Sequence, residues 1–138
     1  MRTKRASRTL SVVSAAAIGL GVALTASPAA HAATTCDSRY KGTVESAAVK
    51  ATVWFTKCSD GRKKAWGTVW DKKADSRSAY AIFDTRGYGV VSIRNSKGSG
   101  TSMSYSTALP SQTSKVTVTV KACSTWGCGD SASKTFYF

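Results

Sequence analysis

Residues 115–122 read KVTVTVKA and show the clearest period-two pattern in the chain. Val116, Val118 and Val120 share one face with Ala122, whereas threonine and lysine occupy the other face. Successive side chains of a β-strand point to opposite faces, so this alternation is what a half-buried strand requires. The stretch therefore predicts a strand that belongs to one layer of a β-sandwich.

The same alternation recurs on both sides of an Asp60-Gly61 pair. Residues 49–55 place Val49, Ala51, Val53 and Phe55 on one face, and the pattern resumes over residues 64–70. Asp-Gly supplies the positive-φ position that tight hairpin turns need, so these two segments predict a β-hairpin. Further candidate strands are residues 79–83, 88–94, 101–106 and 135–138.

No segment sustains a helical pattern. Six or seven short strands separated by Gly, Ser, Asp and Asn clusters are typical of an all-β domain. We therefore predict a single antiparallel two-sheet sandwich of the Ig-like class. Phe136 and Phe138 share a parity at the end of the last strand and are expected to close the core.

The amino-terminal segment has the features of a secretory signal peptide. Four basic residues precede an apolar, Ala-rich stretch, and the small-residue motif Ala30-His31-Ala32 follows it. The strongly apolar part is about fifteen residues, which is short of the roughly 20 that a bilayer span needs. We predict a signal peptide over residues 1–32, a mature domain over residues 33–138, secretion, and no membrane span after the signal is removed.

Four cysteines remain in the predicted mature chain, an even number in a protein sent to an oxidising compartment. The short spacing of Cys123 and Cys128 favours a local loop clasp, which leaves Cys36 to pair with Cys58. A zinc site would need two close cysteine pairs, and Cys36 and Cys58 are too far apart in sequence for that. We predict two disulfides and no metal.

The composition argues against catalysis. His31, the chain's one histidine, belongs to the predicted signal, so the mature chain lacks the commonest general base and metal ligand. Its one glutamate, Glu45, and its scattered aspartates do not form the facing carboxylate pair of a glycosidase. We predict no catalytic residue and no cofactor. An enzyme built around Glu45 ranks third, after the two binding functions that are given at the end of this subsection.

One candidate binding surface combines aromatic and basic residues. Trp66 and Trp70 share one face of their strand. We expect that face to be the core, where Trp54 could join the cluster; if the odd-numbered face is buried instead, the tryptophans form a surface stripe that could stack on sugars. Basic residues flank both ends of this strand, namely Arg62, Lys63, Lys64, Lys72 and Lys73.

Four of the twenty Lys and Arg residues precede Ala33, so the mature chain carries sixteen basic and seven acidic residues and a net charge of +9. Basic residues among aromatics are typical of nucleic-acid binding in cytosolic proteins. Outside the cell the available polyanions are envelope polymers, polysaccharides and acidic proteins, toward which such a domain is steered. We therefore predict no nucleic-acid partner. Lysines that merely protect a sheet edge and keep the domain soluble are the alternative.

The second candidate surface is the loop that Cys123 and Cys128 enclose, with the sequence Ser124-Thr125-Trp126-Gly127. A tryptophan in a clasped loop is held in place before a partner arrives, and tryptophan is enriched among the residues that dominate interface energies. The alternative is that the indole folds back over the disulfide. We predict Ser124, Thr125 and Trp126 as a protein-binding site.

The mature chain resembles small secreted two-disulfide β-sandwich proteins of actinobacteria. The resemblance rests on four features of the sequence, which are the export signal, residues 53–61 (VWFTKCSDG), residues 71–75 (DKKAD) with the following strand 80–83 (YAIF), and residues 120–123 (VKAC). Some of these proteins are similar to adaptor subunits of umbrella toxin particles, in which a small sandwich joins a stalk protein to a lectin-bearing protein. The resemblance implies an adaptor role in a secreted antibacterial toxin complex.

The leading functional prediction is a secreted, non-enzymatic module of the adaptor or inhibitor type. It would bind another secreted protein through the Trp126 loop and the basic hairpin edge. The alternative is a cationic effector that binds a polysaccharide or anionic envelope polymer through Trp66, Trp70 and the flanking lysines and inhibits growth.

Overall fold

The computed structural model describes residues 32–138, which form eight β-strands. In chain order these are β1 (Cys36–Glu45), β2 (Val49–Cys58), β3 (Lys63–Asp71), β4 (Ser78–Asp84), β5 (Val90–Asn95), β6 (Ser102–Leu109), β7 (Lys115–Ser124) and β8 (Gly127–Tyr137). The predicted signal peptide, residues 1–32, lies outside the described residues except for Ala32. The described part of the chain has no helix that is long and apolar enough to cross a membrane.

The strands form two antiparallel sheets of four strands each. The first sheet has the order β1-β2-β3-β6, and the second has the order β5-β4-β7-β8. The all-β, two-sheet part of the prediction is confirmed, with one strand more than the upper estimate. The Ig-like order is not confirmed, because the first three strands pair in succession here, whereas an immunoglobulin sheet joins its first two strands to the fifth and fourth.

The core lies between the two sheets and is built from the apolar faces that the alternation predicts. Val49, Ala51, Val53 and Phe55 of β2 are buried on one side, and the even-numbered residues of β7 from Val116 to Ala122 are buried on the other. Phe136 is buried as well, and Phe138 is partly buried against the same cluster. The period-two reading of β2 and β7 is therefore confirmed.

The predicted hairpin joins β2 and β3. Gly61 adopts φ +86, the left-handed conformation that the Asp-Gly pair supplies. The Asp60 carboxylate accepts hydrogen bonds from the Arg62 backbone N–H (3.0 Å) and from the Arg62 Nε (2.6 Å). This turn fixes the register in which Trp54 of β2 lies opposite Trp66 of β3.

The prediction that Trp66 and Trp70 face the core is wrong. Their neighbours Ala65, Gly67 and Val69 are buried, and both tryptophans are half-buried on the outer face of the first sheet. The inner face opposite Gly67 holds a large ring from β6. Tyr105 donates its hydroxyl to the Thr52 carbonyl oxygen at 2.8 Å, and a Cβ on Gly67 would overlap that same oxygen. The inner face of β3 therefore accepts only small side chains at this point.

Candidate binding surfaces

The predicted clasped loop is the turn of the β7–β8 hairpin. Cys123 and Cys128 lie directly opposite each other in the register and form a disulfide with their Cα atoms 4.0 Å apart. Thr125 and Trp126 are the two residues of the turn between the paired strand ends. The Trp126 side chain is 97% exposed, so the indole does not fold back over the disulfide. The second predicted pair, Cys36 with Cys58, forms in the same way between β1 and β2.

The turn conformation is held by its own residues. The Ser124 hydroxyl accepts a hydrogen bond from the Trp126 backbone N–H at 3.3 Å, in the manner of a serine that closes a turn. Gly127 follows with φ +134, a backbone region that favours glycine. Ser124, Thr125 and Trp126 thus lie together on one turn, and the protein-binding role of these residues stays a prediction.

The base of this hairpin is tied to the first sheet. Asp130 is an extra residue in the pairing of β7 with β8 and adopts φ +44. Its carboxylate accepts a hydrogen bond from the backbone N–H of Ala48, in the loop between β1 and β2, at 2.5 Å. The clasped turn therefore projects from a base that is cross-linked within the hairpin and hydrogen-bonded to the opposite sheet.

The predicted basic edge is two separate clusters. Arg62, Lys63 and Lys64 lie at the start of β3, and Lys72 and Lys73 follow its end. At about 3.3 Å per residue, a strand of this length separates them by about 26 Å. A single small ligand cannot contact both clusters.

Part of this basic charge is engaged within the protein. Lys63 donates its Nζ to the Thr113 carbonyl at 2.6 Å and lies 4.9 Å from the centre of the Phe138 ring. Burial, together with the nearby charge of Lys57, lowers the pKa of Lys63. Arg62 pairs with Asp60 although its side chain is 73% exposed, and Lys64 is exposed as well. The cluster at the start of β3 is therefore less cationic toward solvent than the sequence suggests.

The second cluster is divided in the same way. Lys72 pairs with Glu45 at 2.5 Å and donates to the Ser46 carbonyl at 3.1 Å. This hydrogen bond lowers the pKa of Glu45. Lys73 is exposed. Lys72 thus joins the loops after β1 and β3 while its side chain stays 34% exposed, and Lys73 is exposed without an ion-pair partner among the described residues.

The two tryptophans of β3 have different surroundings on the outer face of the first sheet. The Lys50 Nζ lies 5.5 Å from the centre of the Trp70 ring and covers it. Trp66 instead stacks on Trp54, with ring centres 5.0 Å apart, and Trp54 contacts Tyr40 of β1 at 5.2 Å. Tyr40 could not be assigned to this cluster from the sequence, because β1 shows no clear alternation and was not predicted as a strand.

No family model, curated protein or solved structure matches the chain. The comparisons therefore identify no family, and the similarity to toxin-complex adaptors remains a prediction. What the two surfaces can do follows from their own residues.

Two of the described carboxylates have shifted pKa values, and both pKa values are lowered. A general acid that works near neutral pH needs a raised pKa. Hydrogen bonds from Lys72 and from the Arg62 backbone instead lower the pKa of Glu45 and of Asp60. Residues 32–138 also contain no group of three or more His, Cys, Asp or Glu side chains that could hold a metal ion.

Proposed function

We propose that this protein is a secreted, non-enzymatic module that attaches to another secreted protein through the clasped turn. Trp126 is the anchor, and Ser124 and Thr125 complete the contact surface. The observation that carries the proposal is the 97% exposure of Trp126 on a turn closed by a disulfide. Within the described chain nothing covers this indole, so its burial requires a partner.

The energy available from this one side chain is large. A tryptophan buries roughly 200 Å² when it is fully covered. At about 25 cal/mol per Å² of apolar surface, its complete burial supplies about 5 kcal/mol before the costs of association. When a hot-spot tryptophan at an interface is replaced by alanine, the binding free energy falls by about 2 kcal/mol or more. One pocket on a partner that accepts the indole is enough to organise an interface.

The rigidity of the turn favours binding for a second reason. Association costs about 0.5–1.5 kcal/mol for each flexible side chain or loop element that it immobilises. The Cys123–Cys128 bond and the Asp130 hydrogen bond to Ala48 hold the backbone around Trp126 before the partner arrives. Less ordering is then required on contact, and more of the burial energy appears as affinity.

The charge of the domain supports an acidic partner. Residues 33–138 carry a net charge of +9, and exposed cations such as Lys64 and Lys73 contribute to it. Such a field accelerates the encounter with an acidic protein and has less effect on the final affinity. We therefore expect the association rate to fall with added salt, while the dissociation rate depends on Trp126.

The similarity to adaptor subunits of umbrella toxin particles supports an adaptor as the form of this function, and an inhibitor is the other form. An adaptor holds two different proteins at once. An inhibitor holds one protein and suppresses its activity. Both forms need the Trp126 contact, so the same substitution tests both.

The test is capture of the partner from culture supernatant by the immobilised, disulfide-bonded protein, with Trp126→Ala compared against Tyr88→Ala. Tyr88 is 54% exposed on another loop and serves as the matched aromatic control. We expect the wild type and Tyr88→Ala to retain a stoichiometric partner. Trp126→Ala should bind it at least about 30-fold more weakly, which corresponds to about 2 kcal/mol.

Mass spectrometry of the same preparation provides a second check. An exported product lacks residues 1–32, and its mass is four hydrogens below that of the reduced chain. Equal retention by Trp126→Ala and wild type would exclude the clasped turn as the attachment site. Recovery of no stoichiometric partner would contradict the proposal as a whole.

A further inference from the structure

A ladder of three aromatic rings crosses the outer face of the first sheet. Tyr40, Trp54 and Trp66 are register neighbours on β1, β2 and β3. Their ring centres are 5.2 Å and 5.0 Å apart, and the planes of the two indoles differ by only 19°. One face of the Trp66 indole is thus covered by Trp54, and the opposite face is directed toward β6.

The orientation of Trp66 is fixed by a buried hydroxyl group. The indole N–H of Trp66 donates to the Thr56 Oγ1 at 3.0 Å, and the Thr56 side chain is 3% exposed. The Thr56 hydroxyl is in turn 2.6 Å from the Ser38 hydroxyl on β1. An indole fixed by stacking on one side and by a hydrogen bond at its edge offers its remaining face as a rigid surface.

Small polar residues lie beside that remaining face. Ser106 of β6 is the register partner of Trp66, and Ser104 is the partner of Thr68. Both serines are exposed, and buried Gly67 separates Trp66 from Thr68 along β3, opposite Tyr105. The result is a groove of about 290 Å³ with an aromatic wall, a glycine floor and hydroxyl groups along its rim.

The groove carries little charge. Lys64 is the one basic residue that lines the groove, and no carboxylate lines it. A nucleotide or an anionic polymer would require several cations at this point. An apolar peptide side chain would leave the serine and threonine hydroxyls without partners, which disfavours it. The lining therefore favours a ligand that has an apolar face and a hydroxylated edge.

We propose that this groove binds one sugar unit of an uncharged extracellular glycan. The apolar C–H face of the pyranose ring stacks on the free face of Trp66, and the sugar hydroxyls exchange hydrogen bonds with Ser104, Ser106 and Thr68. Trp70 takes no part because Lys50 covers it. The site is separate from the clasped turn, and the inference does not depend on a protein partner at Trp126.

A single stacking site holds one sugar weakly, but a polymer offers many equivalent units. Repeated units raise the effective concentration at the site, so retention on an insoluble glycan exceeds the affinity for one unit. Since the contact relies on stacking and neutral hydrogen bonds, added salt has little effect on it. This insensitivity to salt separates the groove from cationic adsorption through the lysines.

The experiment uses the disulfide-bonded protein and hexasaccharides of cellulose, chitin, xylan and mannan at up to millimolar concentration, with tryptophan fluorescence as the readout. Retention on the matching insoluble polymers is measured in parallel at low and at high salt. We expect at least one of the four glycans to bind, with an affinity that changes less than twofold between the two salt concentrations. Trp66→Ala should weaken this binding at least tenfold.

A second variant addresses the risk that Trp66→Ala disturbs the sheet. Ser106→Tyr keeps all three rings of the ladder and fills the groove from β6, and tyrosine is a good strand former. It should also weaken binding at least tenfold, whereas Tyr88→Ala on a remote loop should bind as the wild type does. Absence of binding to all four glycans, unchanged binding by Ser106→Tyr, or loss of binding at high salt would each overturn the proposal.

Discussion

The clasped turn and the aromatic ladder both present tryptophan, and they do so in opposite ways. Trp126 is 97% exposed, and its position is set by the backbone of the turn and the Cys123–Cys128 bond. Trp66 is half-buried, and its position is set by side chains, since it stacks on Trp54 and donates to Thr56. The disulfide-closed backbone positions the Trp126 indole. The stacking on Trp54 and the hydrogen bond to Thr56 position the Trp66 indole.

The difference in burial distinguishes a tryptophan that stabilises the fold from a tryptophan that is available to a ligand. The half-buried indole of Trp66 contributes to the packing of the first sheet and offers only one face to a small ligand. Trp126 contributes almost no packing, so selection for folding does not explain its presence. An exposed tryptophan on a rigid turn is an anchor for a large surface, and a tryptophan with one free face in a groove suits a small ring.

The largest expected effect concerns one glycine in each region. Gly67→Ala should lower the free energy of unfolding by about 4 kcal/mol, because its Cβ would overlap the Thr52 carbonyl oxygen and displace the Tyr105 hydroxyl. Gly127→Ala should cost only about 1–2 kcal/mol, since open space surrounds its Cβ and the φ of +134 is the sole penalty. Urea denaturation of both variants measures the difference.

Similar losses for the two glycine variants would contradict this contrast. The groove floor would then tolerate a methyl group as well as the turn does. In that case the close approach of Tyr105 to Thr52 would not be the reason why β3 accepts only small side chains on its inner face.

The next effect concerns the clasp. Replacing Cys123 and Cys128 by serine opens a loop of short sequence separation, which on the chain-entropy account costs about 2 kcal/mol of stability. Partner affinity should fall about tenfold although Trp126 remains, because the turn loses its preorganisation. Glycan binding at the groove should be unchanged. Calorimetric unfolding and partner titration of the same variant measure the two losses.

The matched control replaces Cys36 and Cys58 by serine. Its loop is longer, so the expected loss of stability is larger, about 3.4 kcal/mol. Where the variant is folded, its affinity for the partner should nevertheless be retained, because the Cys36–Cys58 bond joins β1 to β2 and the clasped turn joins β7 to β8. If both pairs reduced partner affinity equally, general stability rather than local rigidity would be the cause.

The four central strands and the edge strands β5 and β6 could be predicted from the sequence, whereas the edge strand β1 and most of the edge strand β8 could not. β2 and β7 are flanked by strands on both sides and bury one complete face, so their apolar residues alternate strictly. β1 is an edge strand whose first five residues are all exposed, and β8 is an edge strand interrupted by Asp130. Because neither β1 nor β8 has a continuous buried face, both carry little periodic signal.

The choice of face on β3 was missed for a physical reason. Tryptophan and valine are both apolar, so alternation identifies two faces without saying which is inward. The inner face is small there because Tyr105 occupies the space over Gly67, and Tyr105 comes from β6, about forty residues away in sequence. The clasped turn was predictable because the disulfide that closes it is local in sequence. The exposure of the Trp126 side chain was left open, because the four residues between Cys123 and Cys128 do not determine it.

The smallest expected effect is the most informative for the clasped turn. Trp126→Ala should change the free energy of unfolding by less than about 0.5 kcal/mol, as substitutions of uncovered surface residues do. Urea denaturation of this variant beside Tyr88→Ala provides the measurement. A loss of 1 kcal/mol or more would mean that the indole packs on its own chain in solution. Trp126 would then be explained by folding, and the reason to assign it a partner would disappear.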